Sequence, residues 1–329
     1  MREARPREER GFALLAVLLV VALLGMVGAE FAYSMRLEAS AARAWRDGIA
    51  ATHLAEAAVE QAIREIVAAA AAPVVVGMDE AGVLTFYTRE RTARPRLSRE
   101  KVPLGAGHFT YRITDEAARL NVNTAPPDRL DRLLQQLGLD KSERGVIVDS
   151  VTDWRDPNEE HRVNGAESDD YYLKLPVPYR SRNANLESVT ELLQIRGVTP
   201  ALFRGSEGKP GLAEFVSAKG RGQVNINTAS EQVLRAHGLS DAEVSLIVQA
   251  RRDEPYFQMP GQFGGRGFTV NTETFRIEAE GLVDDRVQAR VTAIVQRRAA
   301  GATGGGGATG AGGATGGAAV AYLEWWAGR

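Results

Sequence analysis

The chain has 329 residues, 25% of them charged and 44% apolar, a balance that lets most of it bury a core and stay soluble. Its formal net charge is −2, so no global positive field gathers phosphates, which argues against a protein that coats nucleic acid. Cysteine is absent, excluding disulfides, thiolate metal sites and cysteine nucleophiles. The four histidines, His53, His108, His161 and His237, are far apart, which weakens a zinc-hydrolase or histidine-triad reading.

Residues 1–10 carry Arg2, Arg5, Arg7 and Arg10, and residues 12–29 follow as 18 uncharged positions, FALLAVLLVVALLGMVGA. A helix of that length measures roughly 27 Å, close to the hydrocarbon thickness of a bilayer. The arginines before it predict a cytoplasmic leader, with the rest of the chain outside. A secretory signal peptide has a similar layout, but no small-residue cleavage site followed by a loop comes after the run. The helical pattern instead continues without proline to about Ala71. Leu54, Ala58, Ala62 and Ile66 mark one apolar face, while Arg43, Arg46, Glu56, Glu60 and Arg64 supply the polar side.

One continuous helix, apolar at first and amphipathic afterwards, resembles the spine of the type IV pilin and pseudopilin superfamily. The boundary Arg10-Gly11-Phe12 resembles a prepilin peptidase site. That resemblance implies cleavage between Gly11 and Phe12 and N-methylation of Phe12. A plain signal anchor, in which Gly11 only flanks the helix, is the simpler alternative. Most pilins carry glutamate at the fifth mature position, whereas this chain has Ala16. A carboxylate at bilayer depth costs on the order of 2.5–3.5 kcal/mol. In pilins the resemblance assigns its offset to the N-terminal amine of a neighbouring subunit. A subunit with no neighbour above it meets no such amine, so Ala16 suggests the fibre tip.

After Pro73 the helical pattern stops. Residues 83–88 and 108–114 read as strands, rich in β-branched and aromatic types between glycine-containing turns. Near the end, Phe275, Ile277, Ala279 and Gly281 alternate with Arg276, Glu278 and Glu280. Val283-Asp284-Asp285-Arg286 then signals a turn and 287–296 alternates again, a hairpin with one buried face. Strands at both ends with helical material between predict a helical domain inserted into a sheet.

That material carries a weak repeat: LNVNTAPP from Leu120 returns as VNINTAS from Val224. Each copy leads into an apolar-periodic helix, 130–137 or 233–237, with Thr124 or Thr228 as expected cap and Pro126 and Pro127 in the first turn. A glycine turn at Gly138 or Gly238 precedes a second helix, 146–154 or 243–251. A third such turn, at Gly197, follows an expected helix over 186–195. The units resemble helix-hairpin-helix motifs, many of which bind DNA through backbone N–H groups beside two glycines. Here each turn keeps only the first glycine. Residues 121–155 hold five basic and six acidic side chains, and 225–252 balance at zero. Such hairpins make poor phosphate clamps, and a structural or protein-contact role is preferred.

Residues 299–319 contain only Ala, Gly and Thr and read as a flexible tether. For 320–329, with Tyr322, Trp325 and Trp326, a disordered end is preferred over a docking peptide. No catalytic signature stands. Gly208-Lys209 fails as a P-loop because Phe203 and Pro210 occupy required positions, and no nucleophile elbow or HExxH is present, so a non-enzyme is expected. The stretch 153–170, DWRDPNEEHRVNGAESDD, packs seven carboxylates into eighteen residues, opposed chiefly by Arg155 and Arg162. Pro157, Asn158, Asn164 and Gly165 make it a loop. Oxygens of Asp156, Glu160, Glu167, Asp169 and Asp170 would suit a hard cation, calcium above all, with a solvated acidic loop as the alternative.

The segments ARLNVNTAPPDRL, DWRDPN, NGAESDDYY, PYRSRN, LESVTELLQIRGVTPALF and VNINTASEQVL resemble, in order, the K-type minor pseudopilins of the type II secretion system. The resemblance spans nearly residues 1–298. It implies an α+β architecture: a pilin-like fold, with a long transmembrane helix packed on an antiparallel sheet, and a large inserted helical domain of SAM-like or helix-hairpin-helix type. The expected divisions are leader 1–11, spine helix 12–71, first sheet part 72–120, inserted domain 121–222, second repeat and C-terminal strands 223–298, linker 299–319 and aromatic tail 320–329. It further implies calcium in the inserted domain and a place at the pseudopilus tip, in the bacterial inner membrane with a periplasmic C-terminal domain. The implied partners are the I- and J-type minor pseudopilins, the major pseudopilin, a prepilin peptidase and the inner-membrane secretion platform, with no nucleic acid. A minor pilin of a type IV pilus and a membrane-anchored helix-hairpin-helix DNA receptor are the competing readings.

Overall fold

The computed structural model describes residues 9–69, 75–79, 82–88, 90–206, 208–298 and 320–328. The leader up to residue 8 and the linker 299–319 therefore lie outside the described residues. Helix α1 (Glu9–Ala68) runs unbroken for 60 residues. Its apolar first part has mean hydropathy 2.8 over 18 residues and none of that stretch is buried. Further along, Phe31, Tyr33, Leu37 and Trp45 are still exposed. From Ala51 onward one face goes under the sheet: Ala51, Leu54, Ala55, Ala58, Val59, Ala62 and Ile66 are all buried. The expected four-residue stripe is thus the middle of a wider alanine-rich face. Small side chains let the helix come close, and Gly281 shows how close: a Cβ there would sit 1.8 Å from the Ala51 carbonyl oxygen.

Strands β1 (Val75–Met78) and β2 (Leu84–Tyr87) form a separate antiparallel hairpin, of which only the second strand is expected from the sequence. Strands β3 (Val102–Leu104) and β4 (Gly107–Asp115) follow. The helical unit then contains β5 (Leu120–Asn121), α2 (Pro127–Gln136), α3 (Lys141–Arg155), α4 (Pro200–Arg204), β6 (Gly205–Ser206), β7 (Lys209–Pro210), β8 (Val216–Ser217), β9 (Val224–Asn225), α5 (Glu231–Ala236), α6 (Asp241–Asp253) and β10 (Phe268–Thr269). The chain returns through β11 (Thr274–Val283), β12 (Arg286–Arg297) and β13 (Val320–Gly328). The main sheet has the order β13-β12-β11-β4-β3, every pair antiparallel. Strict alternation turns Phe109, Tyr111 and Ile113 of β4, Phe275, Ile277 and Ala279 of β11, and Val291, Ala293 and Val295 of β12 toward α1. The β11–β12 turn has Asp284 and Asp285 at φ +52° and +56°, the left-handed pair that a two-residue hairpin requires.

Strands β4 and β11 are neighbours although Asp115 pairs with Phe275. The whole helical unit is looped out between them. Its apolar core is continuous from Leu120 to Val270, so the second repeat shares one core with the first, separate from the core between α1 and the sheet.

Three local expectations are corrected. Residues 186–195 do not form an α-helix: Val189–Gln194 winds as a 3₁₀ helix, confined between the Ser188 capping box and an extended Ile195. Neither Thr124 nor Thr228 caps a helix. Helix α2 starts behind Pro126 without a side-chain cap bond, and α5 is capped by Ser230, whose hydroxyl accepts from Val233 N. Thr228 instead donates to Asp115 Oδ2 at 2.7 Å. Finally, residues 320–328 are not a disordered end but β13, paired along the outer edge of β12.

Candidate functional site

The repeat seen in sequence is a repeat in hydrogen bonds. Asn121 Oδ1 accepts from Asn123 N at 2.9 Å, and Asn225 Oδ1 from Asn227 N at 3.0 Å. Asn123 Nδ2 donates to Leu186 O and Ala218 O while its Oδ1 accepts from Leu186 N. Asn227 Nδ2 donates to Tyr256 O and Val270 O while its Oδ1 accepts from Tyr256 N. Arg155, ending α3, donates to Val122 O and Ala125 O; Arg251, near the end of α6, donates to Ile226 O and Ala229 O. Each Asn-x-Asn-Thr turn is thus clamped by the arginine that closes its own helical hairpin.

Two adjacent carboxylates at the end of β4 fasten these repeats to the sheet. Asp115, buried, accepts from Ala117 N at 2.8 Å, Asn225 Nδ2 at 2.7 Å and the Thr228 hydroxyl. Glu116, also buried, accepts from Ser217 Oγ and from both Nε and Nη2 of Arg276 on β11. Sequence reasoning missed this hub. The signal was there in hindsight, as two consecutive acids closing an alternating strand.

The hairpin glycines Gly138 and Gly238 are left-handed, at φ +88° and +85°. The helix starts beyond them are sealed by carboxylates. Asp140 and Glu143 make a reciprocal capping box at α3, and Ser240 and Glu243 make one at α6. Glu243 is further held by Arg266 at 2.7 Å, and its carboxyl is pulled down to about 2, first by the Ser240 backbone N–H and then by Arg266. The N–H groups that would meet a phosphate already serve carboxylates or hydroxyls, which opposes a DNA-receptor role.

In the acidic loop the carboxylates divide by task. Asp153 is fully buried and wholly committed to the loop's shape. It accepts from Arg162 N and Ala166 N at 3.0 Å each and from Arg162 Nη1 at 2.7 Å. Gly165 is required there, because a Cβ would lie 1.8 Å from Asp153 Oδ2. Asp156 is tied to Arg162 Nη1 at 3.0 Å and to Asn158. Glu167 and Asp170 are brought together, Asp170 Oδ1 accepting from Glu167 N at 2.8 Å. Glu160 and Asp169 face solvent. Among the described residues no three histidine, aspartate or glutamate side chains already converge as a metal cage.

Glu167 is nevertheless unlike its neighbours. It is 1% exposed; Oε2 accepts from Ser181 Oγ at 2.7 Å, and Oε1 has no hydrogen-bond partner. Burial pushes its carboxyl up to about 7, and the carboxylates of Asp153, Glu159 and Asp156 push the same way. A buried oxygen lacking a donor, within a field of like charge, fits the chemistry of a hard divalent cation. The residues present therefore fit calcium by donor type, with Glu167 best placed.

A membrane-length helix whose second half packs on an antiparallel sheet, with a duplicated helical hairpin unit looped from that sheet, defines a pilin-like subunit with an elaborated head. A family model described as type II secretion system (T2SS), protein K matches residues 112–207, which covers the end of β4 and the first repeat. The chain is 27% identical over 317 residues to type II secretion system protein K of Pseudomonas aeruginosa, covering 88% of this chain and 89% of that protein. It is 32% identical over 148 residues to type II secretion system protein K of Pectobacterium carotovorum, covering 40% and 43% of the two chains. In fold it resembles a chain from the crystal structure of the GspK-GspI-GspJ complex of the enterotoxigenic Escherichia coli type 2 secretion system. The TM-score there is 0.60 at 16% identity, over 90% of this chain and 99% of that one. Together these likenesses in sequence and fold support a minor pseudopilin of the type II secretion system protein K kind. Among the described residues one helix, at the N-terminus, is long and apolar enough to cross a membrane, consistent with a membrane-anchored pseudopilin.

Proposed function

We propose that this minor pseudopilin occupies the tip of the type II secretion pseudopilus, initiating or capping fibre assembly for export of folded proteins across the outer membrane. The observation that carries this reading is the helical unit looped out between β4 and β11, spanning residues 116–273. It outweighs the rest of the chain beyond the membrane. Pseudopilus subunits stack with a small axial rise, so a head of this size would collide with a subunit above it anywhere but at the free end. Ala16 supports the same position, since a carboxylate at that depth would have no neighbouring amine.

The partners proposed are I- and J-type minor pseudopilins, the company found in the structurally similar complex, with the major pseudopilin below and the secretion platform at the inner membrane. Phe31, Tyr33, Leu37 and Trp45 are exposed beyond the membrane-length stretch and offer apolar contacts to neighbouring spines. A prepilin peptidase would cleave between Gly11 and Phe12 and methylate Phe12, leaving the N-terminus cytoplasmic before cleavage and the folded domain periplasmic. No catalytic role is proposed. Calcium is the ion proposed for the acidic loop, with Glu167 and Asp170 as principal ligands and Asp156, Glu160 and Asp169 completing the set. Once bound there, it would neutralise the acidic field and satisfy the buried Glu167 oxygen.

Site-specific photo-cross-linking in cells, from positions along residues 36–66, tests the tip reading. Capture of I- and J-type subunits in a complex with one copy of each is expected. Recovery of this chain cross-linked to itself along the fibre shaft would overturn it.

A further inference from the structure

The sheet has two edges, and they are managed differently. On one side β3 is three residues long and contains Pro103, a short edge that offers little to an incoming strand. On the other, β12 is twelve residues long, and its outer edge would be an open template. The C-terminal segment covers it. We propose that the outer edge of β12 is a strand-receiving site, and that the nonapeptide of residues 320–328 is its tethered, displaceable occupant. This proposal stands apart from the tip assignment.

The chain length between the paired strands is the first argument. Arg297 lies directly opposite Val320, so the strands could be joined by a hairpin loop of two to five residues. The chain supplies 22, residues 298–319, of which 299–319 are Ala, Gly and Thr. A connection of that length is not needed to close this pair. Fully extended it could span at most about 75 Å, enough to let the strand leave and return or reach a second copy.

The grip of β13 is the second. It pairs with β12 from Arg290↔Gly328 to Arg297↔Val320, but Leu323 is bulged between Glu324 and Tyr322, which shifts the register. Trp325, opposite Ala293, and Tyr322, opposite Val295, lie on the α1 side of the sheet, where their rings meet edge to face at 5.7 Å. Tyr322 Oη donates to Glu60 Oε1 of α1 at 3.0 Å. Yet Tyr322, Trp325 and Trp326 remain 48, 43 and 41% exposed. Beside them a cavity of about 440 Å³ is bounded by Trp325, Trp326, Ile294, Val189, Phe203 and Ala213. The aromatic side chains recognise the edge and the neighbouring helical unit without filling the space between them. Such a strand has specific contacts and little burial, as a reversible ligand should.

The occupant in this structure is the chain's own tail, and a second copy's tail is chemically the same ligand. A linker of 22 residues would hold it at an effective concentration on the order of millimolar, closing the edge to strands that would otherwise add laterally. The test uses the full chain in detergent and a fluorescein-labelled peptide of residues 320–328. Three proteins are compared: the full chain, a chain ending at Arg298, and the full chain with Gln296→Cys and Ala321→Cys, which face each other across β12–β13. The native chain has no cysteine, so only the introduced pair can form a disulfide. The shortened chain is expected to bind one peptide, and the full chain to bind at least tenfold more weakly. The oxidised double variant is expected to bind none, recovering the full-chain level on reduction. Equal binding by all three, or no binding by a shortened chain that keeps its helical content, overturns the proposal. If the shortened chain does not fold, full-length Trp325→Ala/Trp326→Ala replaces it; that variant must bind the peptide more tightly than the unaltered chain, and no increase overturns the proposal.

Discussion

At the scale of single residues, buried polar groups in the helical unit carry consequences that exposed ones do not. Asp115 receives three donors, from Ala117 N, Asn225 Nδ2 and Thr228 Oγ1, inside the protein. Asp115→Ala would leave those donors unpartnered, at a cost of roughly 2–4 kcal/mol. Urea denaturation of the variant should show that loss, and an unchanged midpoint would mean water replaces the carboxylate without penalty. His237 offers a pH test. Burial, and then the Arg129 guanidinium, push its imidazole down to about 4 from an ordinary 6.5. The folded state therefore binds its proton later than the unfolded one. Stability is complete above about pH 6.5 and falls as pH drops toward 4, by about 2 kcal/mol between pH 7 and pH 5. His237→Leu should flatten that part of the stability profile, and a variant as pH-sensitive as the parent would assign the slope to other groups.

At the scale of elements, the two hairpin modules predict matched behaviour. Arg155→Ala and Arg251→Ala each remove two bonds to buried carbonyls of an Asn-x-Asn-Thr turn. Each should cost about 2–3 kcal/mol, and melting curves should fall together. A large effect from one alone would show that the duplication is one of shape and not of energetics. Where α1 crosses the sheet, Gly281→Ala would drive a methyl group into the Ala51 carbonyl. The helix must retreat, at roughly 2–4 kcal/mol, and loss of protection at the sheet-facing amides of α1 in hydrogen exchange is the measurement. This is also the scale at which the sequence was most readable. The spine stripe, the Asp284-Asp285 turn and the doubled Asn-x-Asn-Thr signal are local patterns whose period or spacing lies within one window. The arginine clamps are not local: Arg155 sits 30 residues from Ala125, and nothing near it marks carbonyl acceptors. Strand β13 escaped because its partner lies beyond a linker, and edge pairing leaves no buried alternation to read. Within the acidic loop, composition suggested an ion but could not separate Asp153, spent on loop geometry, from Glu167, left with an unpartnered oxygen.

For the whole molecule, ion binding would couple the acidic loop to global stability. A ligand that binds only the native state adds RT ln(1 + [L]/Kd), about 2.7 kcal/mol at a hundredfold excess over Kd. Chelator should therefore lower the melting temperature of calcium-loaded protein. The same melt with and without chelator, and no heat of calcium binding, would leave the loop a solvated acidic surface. Connectivity has a consequence for how this chain folds. The central strand pair of the sheet joins residues 160 positions apart, Asp115 with Phe275, whereas β11 and β12 meet through two residues. Closing the longer loop from an open coil costs about 4 kcal/mol more than closing the shorter. That penalty largely vanishes if the helical unit forms first, because Asp115 at its entry then holds Asn225 of β9, and β9 pairs with β10 close to its exit. The inserted unit would thus act as the folding nucleus for the sheet that carries it, and the spine helix would acquire its docking surface last. A chain emerging from the membrane would remain a bare hydrophobic rod until its most distal part had folded.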